Sequence, residues 1–428
     1  MKLELHKVKV NKLAWGDKTE TKDGVLYVNR LEIVDMLSSD ERLVKVDLDF
    51  AMPGESVRII PVKDVVEPRC KLEGKGGIFP GMVSDVETVG EGKTLVLEGA
   101  AVVTTGKIVR FQEGIIDMSG PGADYCPYSK TCNLVLVLEP VADLEKHDHE
   151  AACRLAGLKT ASYLAECCKG ATADNVETYE FPAFREAMHA YPELPKVAYL
   201  YMLQSQGLLH DTWVYGVDAK QTLPTLIGAT EVMDGAIVSG NCVSACDKNN
   251  TYSHQNNPVI KDMYARHGKD FNFVGVIITN ENVTLADKKR SSSYSIKLAN
   301  MIGLDGLLIS EEGFGNPDAD LIMNCWKAER SGMKTALLTD EYAGQDGASQ
   351  SLADSCPEGD ACVTAGNANE VITLPPMEKI IGYPDEANVI AGGWDGSLAS
   401  DGTITVELQA IIGATSELGF TKLGAYTV

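Results

Sequence analysis

Short apolar runs separated by polar turn residues fill the first third of the chain. The runs are rich in β-branched residues, and glycine, aspartate and proline lie between them. This pattern is typical of β-strands bounded by turns. Five runs show it clearly: KLELHKVKV, GVLYVN, RLVKVDLDF, SVRIIPV and KTLVLEGAAVVTTG. We therefore predict a strand-rich N-terminal domain over residues 1–141.

The pattern changes after the run NLVLVLEPV at residues 133–141. The segment HDHEAACRLAGLKTASYLAECC has apolar residues at helical spacing. Farther along, apolar runs alternate with helical segments: the runs are KVAYLYMLQSQ, DGAIVSG, FVGVIITN, GLLIS, KTALLTDE and DACVTAG, and the helical segments are RSSSYSIKLANMIG and DADLIMNCWKAERSG. Such alternation is typical of a parallel sheet covered on both faces. The predicted fold class is α/β, with a doubly wound, mostly parallel sheet domain over residues 142–428.

Composition and charge limit the class of function. The chain has 428 residues, 44% of them hydrophobic and 23% charged, as in ordinary globular proteins. Its net charge of −23 includes no basic arm, which argues against nucleic acid or an anionic membrane as a partner. No apolar run approaches the roughly 20 residues of a membrane helix. Because the N-terminus also lacks the features of a signal peptide, we predict a cytoplasmic protein.

The cysteines indicate a reducing compartment. There are eleven, an odd number without a CxxC pair, which is a poor disulfide framework. The adjacent Cys167 and Cys168 cannot easily serve one tetrahedral metal ion. The histidines of the HDH segment at residues 147–149 point apart if that segment is helical. The sequence therefore predicts no metal site.

The stretch MDGAIVSGNCVSACDKNNTYSHQNNP, residues 233–258, carries the main candidate chemistry. Gly240, Asn241 and Cys242 follow a predicted strand, and ligands bind at the carboxyl ends of strands in open α/β sheets. The residues alone leave four interpretations of Cys242 open. The four are a buried loop cysteine, half of a redox or metal pair with Cys246, a nucleophile at a new N-terminus, and the precursor of a carbonyl cofactor.

The last two interpretations require cleavage of the bond between Asn241 and Cys242. The Cys242 thiol would attack the Asn241 carbonyl and convert the peptide into a thioester. β-Elimination of sulfur then leaves dehydroalanine, and its enamine form tautomerises and hydrolyses to a pyruvoyl group. The ketone of that group condenses with amines without pyridoxal phosphate. Gly240 would permit the strained turn that cleavage requires.

Long motifs along the whole chain resemble one family. They are GVLYVN, GESVRIIPVKDVVEPR, GAAVVTTGKIVRFQEGIIDMSG, YMLQSQGLLHDTWVYGVDAK, TEVMDGAIVSGNCVSACDKN, FVGVIITNENVTLADKKRSS, SEEGFGNPDADLIMNC, TDEYAGQDGASQSLAD and LPPMEKIIG. Together they resemble the proprotein subunit of component B of the glycine/sarcosine/betaine reductases, selenoenzymes of amino-acid-fermenting anaerobes. Several unusual motifs in the same order are hard to produce by chance.

The resemblance implies cleavage into a β chain of residues 1–241 and an α chain of residues 242–428. It implies that Cys242 becomes a pyruvoyl group, which binds the substrate amine as a Schiff base. The expected assembly is a hetero-oligomer with a selenocysteine-containing γ subunit, working with the selenoprotein component A and with component C. The implied reaction is the reductive deamination of glycine to ammonia and finally acetyl phosphate, by selenolate attack and with electrons from the thioredoxin system.

Alternative functions remain open. Sarcosine or betaine is the substrate of related components, although a quaternary nitrogen such as that of betaine cannot form an imine. Another enzymatic alternative is that the chain is an amidohydrolase, with Cys242 as its free N-terminal nucleophile. A non-enzymatic alternative is an unprocessed scaffold subunit for the selenoprotein.

Four further residues are candidates for supporting roles. Gly240 would form the turn, and Cys246 is either a packed neighbour or a thiol near the reactive group. His254 would move protons because histidine titrates near neutrality, or it would bind backbone in a loop. His210 is a similar candidate near the end of a predicted strand.

Overall fold

The computed structural model describes residues 1–109, 113–240, 244–420 and 426–427. Its strands are β1 Lys2–Lys9, β2 Lys12–Trp15, β3 Glu20–Lys22, β4 Val25–Val28, β5 Leu43–Ala51, β6 Val57–Val66, β7 Arg69–Glu73, β8 Gly92–Glu98, β9 Ala100–Gly106, β10 Gly114–Asp117, β11 Cys132–Pro140, β12 Asn175–Glu180, β13 Lys196–Leu203, β14 Thr212–Val214, β15 Val217–Asp218, β16 Thr225–Ile227, β17 Ile237–Ser239, β18 Asn272–Asn280, β19 Gly306–Ser310, β20 Lys334–Glu341, β21 Cys362–Asn367, β22 Val371–Leu374, β23 Lys379–Gly382, β24 Ile404–Glu407 and β25 Tyr426–Thr427.

The helices are concentrated in the middle of the chain. They are α1 Arg30–Leu37, α2 Pro121–Tyr125, α3 Lys146–Cys167, α4 Phe184–Ala187, α5 Ala229–Met233, α6 Thr251–Gln255, α7 Pro258–Arg266, α8 Leu285–Ile302 and α9 Asp318–Arg330. Short 3-10 helices cover Pro127–Lys130, Ala219–Gln221, Pro384–Asn388 and Leu408–Ala410.

Two sheets dominate the N-terminal part, as the β-branched runs predict. One has the strand order β12-β1-β8-β7, and the other has the order β10-β6-β9-β11-β5 with β23 added beside β6. Every residue of β6 and β9 is buried. Helix α3 packs on β9, β6 and β7. The central strands of this sheet are therefore buried on both faces. This explains why they lack the alternation of apolar and polar residues seen in a sheet with one solvent-exposed face.

A mostly parallel sheet forms the second half, in the order β16-β18-β13-β19-β20-β21-β25. The five central strands run parallel, and β16 and β25 pair antiparallel at the two edges. In β13, Ala198, Leu200 and Met202 face a cluster that includes α8 and α9. Tyr199 and Tyr201 face a cluster that includes α5 and α7. Helices thus cover both faces, and the predicted α/β class is confirmed.

Strand β17 departs from the sequence-based expectation. The DGAIVSG run does form a strand, but it pairs antiparallel with β14 in a separate three-stranded sheet, with Ser239 opposite Thr212. The strand before Asn241 and Cys242 is therefore not part of the parallel sheet, and the argument that placed these two residues at that sheet's rim through β17 is wrong. The reason is that β17 is only three residues long, Ile237–Ser239, and its sequence has no local feature that selects a partner strand.

The division at residues 141 and 142 stays a prediction. Contacts cross it extensively, because β12 pairs with β1 and β23 pairs parallel with β6. Within the described ranges, no helix combines the length and the apolar character needed to cross a bilayer.

A buried ion pair ties β6 to β10. Arg58 donates from Nε and Nη2 to the two carboxylate oxygens of Asp117 at 2.6 and 2.7 Å, and both side chains are fully buried. Nη2 also donates to the carbonyl of Pro375 at 3.0 Å. Geometry of this kind compensates part of the cost of taking both charges out of water.

Replacing one member of this pair is expected to be costly. Arg58→Met leaves the Asp117 carboxylate buried without its partner, and we expect a loss of about 3–5 kcal/mol in the free energy of unfolding. Urea titration measures it. The control is Arg30→Met, which removes a half-exposed pair with Asp47 and should cost less than about 1 kcal/mol. Equal losses for the two variants would contradict this account.

Candidate functional site

The polar segment of residues 244–257, SACDKNNTYSHQNN, is buried between the N-terminal sheet and the parallel sheet. All its residues are buried except Tyr252, which is half-buried. Amides, hydroxyls and charges of this kind are usually exposed. Burying them is tolerable only where each finds hydrogen-bond partners. We call these residues the buried polar segment.

Strand β6 supplies partners on one side of the segment. Asp64 accepts hydrogen bonds from the backbone N–H of Thr251 at 3.0 Å and from its hydroxyl at 2.7 Å. The Thr251 hydroxyl also accepts from the backbone N–H of Ser239 at 2.9 Å. One carboxyl group therefore connects the N-terminal sheet to α6 and to the end of β17.

The segment's amide side chains pair with the residues that follow β6. Gln255 accepts from the backbone N–H of Glu67 at 3.0 Å and donates to its carbonyl at 3.2 Å. Arg69 donates to Glu67 and to the Asn256 side chain, at 2.7 and 3.1 Å. Ser253 lies 2.7 Å from the Tyr128 hydroxyl. These bonds fix α6 against the N-terminal sheet.

The carboxyl ends of the parallel strands supply partners on the other side. Lys248 lies 2.9 Å from Glu312, which follows β19. Glu312 also accepts from the backbone N–H of Asn249 at 2.8 Å, and Glu417 accepts from the Asn249 side chain at 2.8 Å. His254 Nδ1 lies 2.8 Å from the hydroxyl of Tyr201 on β13. The buried polar segment therefore runs across the edge at which ligands bind in α/β sheets.

Gly240, which precedes the buried polar segment, is in close contact with the backbone of His210 and Asp211. Its N–H donates to the Asp211 carbonyl at 2.6 Å, and a Cβ placed on Gly240 would lie 2.0 Å from the carbonyl oxygen of His210. Lys248 Nζ donates to the same Asp211 carbonyl at 2.9 Å. The neighbouring backbone therefore leaves no room for a side chain at residue 240. This close approach, and not a left-handed backbone conformation, explains why residue 240 is glycine.

The predicted cleavage site, Asn241 and Cys242, lies outside the described residues. Its two flanks are described, and both Gly240 and Ser244 are buried. A small cavity of about 10 Å³ adjoins Gly240 and is lined by Lys63, Asp64, Thr104, Glu150, Cys153 and Arg154.

His254 differs from its sequence-based interpretation. It lies in α6 rather than in a loop, and it is fully buried. Burial lowers the pKa of His254 well below its usual range. The imidazole is therefore neutral at neutral pH, and the premise that it titrates near neutrality is wrong. A proton-transfer role for the neutral ring stays a prediction.

His210 and Cys246 have different surroundings. His210 Nδ1 lies 2.5 Å from Asp218, and its ring packs against Trp213. Cys246 is buried in a hydrophobic cluster with its Sγ 3.3 Å from the Ser244 hydroxyl. Burial raises the pKa of Cys246 well above its usual range. Supporting roles for either residue stay predictions.

Sequence reasoning missed a row of buried acids at the ends of the parallel strands. They are Glu281 after β18, Glu311 and Glu312 after β19, Asp340 at the end of β20, and Asp320 in α9, joined by Asp247 from the buried polar segment and by Glu417, which follows the 3-10 helix Leu408–Ala410. Burial is the main cause that raises the pKa of Glu281, Glu311, Asp340 and Glu417. The signal was available: the apolar runs end in TNE, SEE and TDE. We call this row the acidic rim.

A cleft of about 490 Å³ opens beside the acidic rim. Lys220, Asn280, Glu281, Arg290 and Ser291 are among the residues that line it. The cleft combines cationic side chains at its surface with a buried carboxyl group.

Comparisons with known proteins agree on one family. The family model for glycine/sarcosine/betaine reductase component B subunits matches residues 1–426. The chain is 64% identical to the glycine reductase complex component B subunits alpha and beta of Acetoanaerobium sticklandii, over 100% of both chains. It is 60% identical to the protein of the same name from Peptoclostridium acidaminophilum, over 99% of both chains, and 54% identical to that organism's sarcosine reductase complex component B subunit alpha, also over 99% of both.

These matches define a component of a multi-subunit reductase. The chain belongs to the glycine/sarcosine/betaine reductase component B family. No solved structure matches it.

The contact at Gly240 predicts intolerance of a methyl group. Gly240→Ala would push a Cβ into the His210 carbonyl, and we expect a loss of about 1–3 kcal/mol in stability, measured by urea titration. The control is Gly170→Ala, because a Cβ there meets nothing within 4 Å. A Gly240→Ala protein as stable as the Gly170→Ala protein would show that the β17 end can move aside.

The buried Asp64 predicts a pH dependence of stability. Burial raises the pKa of Asp64 to about 7, against the hydrogen bonds from Thr251 and the charge of Lys248, which lower it. Lys63, Glu150 and Arg154 also line the cavity beside it. Because the folded pKa is above the unfolded one, Asp64 makes the protein less stable as pH rises from about 4 to about 7, by at most about 4 kcal/mol.

Asp64→Asn removes this titration but keeps an acceptor for the Thr251 N–H. We expect the variant to gain stability relative to the wild type between pH 5 and pH 8, measured by urea titration at both values. A constant difference between the two proteins across this interval would mean that Asp64 is ionised when buried.

Proposed function

We propose that this chain is the pyruvoyl-bearing, substrate-binding subunit of a glycine reductase complex. The bond between Asn241 and Cys242 would be cleaved, and Cys242 would become the pyruvoyl group at the start of the α chain. The observation that carries the proposal is that a chain of this family has the Asn241–Cys242 bond in its sequence and buries Gly240 and Ser244, the nearest described residues on either side of it. The complex would work in the cytoplasm.

The described chain on either side of residues 241–243 is compatible with a pyruvoyl group at residue 242. The group supplies an electrophilic ketone that reacts with an amine. Such a ketone needs a dry position and groups that hold and release protons. Gly240 anchors the chain before it through the Asp211 carbonyl, and the buried polar segment excludes water after it. Lys248 and the neutral His254 are side chains of the buried polar segment that are able to donate or accept a proton.

Glycine is the proposed substrate. The two glycine reductase proteins are 64% and 60% identical to this chain, against 54% for the sarcosine reductase protein. Lys220, Arg290 and Glu281 line the cleft beside the acidic rim, where Arg290 pairs with Asp287 and Lys220 donates to the Gly207 and Leu209 carbonyls. A small amino acid would enter by this route.

Partner subunits must supply the rest of the reaction. The chain has no selenocysteine, so the selenolate that attacks the α-carbon of the substrate would come from a selenocysteine-containing γ subunit. Component A, component C and the thioredoxin system would complete the turnover to ammonia and acetyl phosphate.

Intact mass under denaturing conditions tests the proposal. We expect active protein to give two chains, residues 1–241 and 242–428, with the second chain lighter than one beginning with cysteine, resistant to Edman degradation and reactive toward borohydride. Cys242→Ala should give one chain and no reductase activity. Cys242→Ser should be cleaved slowly, because an oxygen ester still forms.

Three outcomes would contradict the proposal. A single full-length chain in active protein excludes cleavage, and an active Cys242→Ala protein would indicate a scaffold subunit. Two chains with an Edman-readable cysteine would instead indicate an amidohydrolase with a free N-terminal nucleophile.

A further inference from the structure

We propose that Cys246, Asp247 and Asp340 bind a divalent zinc ion in the acidic rim. The cysteine sulfur and one oxygen of each carboxyl group all lie within 4.8 Å of one another. The three residues are 0%, 2% and 1% exposed. The sequence analysis predicted no metal site, and spacing could not reveal this one because Asp340 lies far from the other two residues along the chain.

Unsatisfied oxygen atoms provide a second, independent reason. Asp247 Oδ2 and Asp340 Oδ1 have no hydrogen-bond partner among the described residues. The other oxygen of Asp340 accepts from the Thr415 hydroxyl at 2.7 Å. Nearby Glu417 also has one oxygen without a donor. Buried carboxyl oxygens are rarely left in this state, and a cation satisfies several at once.

The backbone holds the donors in place before any ion arrives. Gly413 donates to the Ala245 carbonyl at 2.8 Å, and Thr415 donates to the Cys246 carbonyl at 3.0 Å. Asp340 is fixed by β20, which lies within the parallel sheet. Rigid donors lose little freedom when they bind an ion.

The donor types select the metal. One thiol and two carboxyl groups form a mixed sulfur and oxygen set, which suits zinc better than magnesium or calcium, since the latter prefer oxygen donors alone. Zinc would bind Cys246 as the thiolate and release its proton to solvent. Three protein ligands leave a position open for water or a substrate group.

Metal analysis tests this inference without reference to cleavage or activity. We expect wild-type protein, purified without chelator, to carry about one zinc per chain by mass spectrometry. Treatment with a chelator should lower the melting temperature, and zinc but not magnesium should restore it. Asp340→Asn and Cys246→Ser should lose the metal. The controls Glu311→Gln and Cys325→Ser, a buried acid of the acidic rim and a buried cysteine outside the cluster, should retain it.

Cobalt provides a readout of the ligand itself. Cobalt added to metal-free protein should give a thiolate-to-cobalt absorption band that is absent from Cys246→Ser, provided that circular dichroism shows that variant to be folded. Wild-type protein that holds no zinc and gives no cobalt band would overturn the inference, as would full retention of metal in folded Asp340→Asn and Cys246→Ser. Because Cys242→Ala should bind the metal too, failure here is distinguishable from failure of the pyruvoyl proposal.

Discussion

The burial of a polar segment between two sheets is the constraint on which the rest of this structure depends. Residues 244–257 carry amides, hydroxyls and charges, and nearly all are removed from water. Burying such groups without partners costs free energy, so hydrogen bonds to both sheets are needed to hold the segment in place. Asp64 and Glu67 provide these groups on one side, and Tyr201 and Glu312 on the other. The two sheets are thereby fixed relative to each other.

The same hydrogen bonds would hold the two fragments together after cleavage. Asp64, Glu67 and Tyr201 precede residue 241, whereas their partners Thr251, Gln255 and His254 follow it. Strand β13 also precedes it, and both its neighbours, β18 and β19, follow it. Cutting the chain at one bond would leave the hydrogen bonds and the sheet intact. The two chains would therefore remain one folded unit.

The acidic rim shows how a parallel sheet concentrates chemistry. Each strand ends at the same edge, so an acidic residue after one apolar run comes close to the acids after the others. Glu281, Glu312 and Asp340 meet there although each is far from the others in sequence. The buried polar segment adds Asp247 and Lys248 to this edge. A location that holds so many carboxyl groups away from water is suited to binding cations and to moving protons.

The sequence by itself determined the elements that depend on local pattern. The run FVGVIITN became β18, and RSSSYSIKLANMIG became most of α8, which ends before Gly303 in the left-handed region. The α/β class and the family motifs followed from the same local information. The tertiary structure alone decided that β17 pairs with β14, that the polar segment is buried and that His254 stays neutral. These outcomes depend on partners such as Asp64, which is 187 positions from Thr251. Periodicity reports only which face of an element is apolar, so it carries no information about which distant group will satisfy a buried polar one.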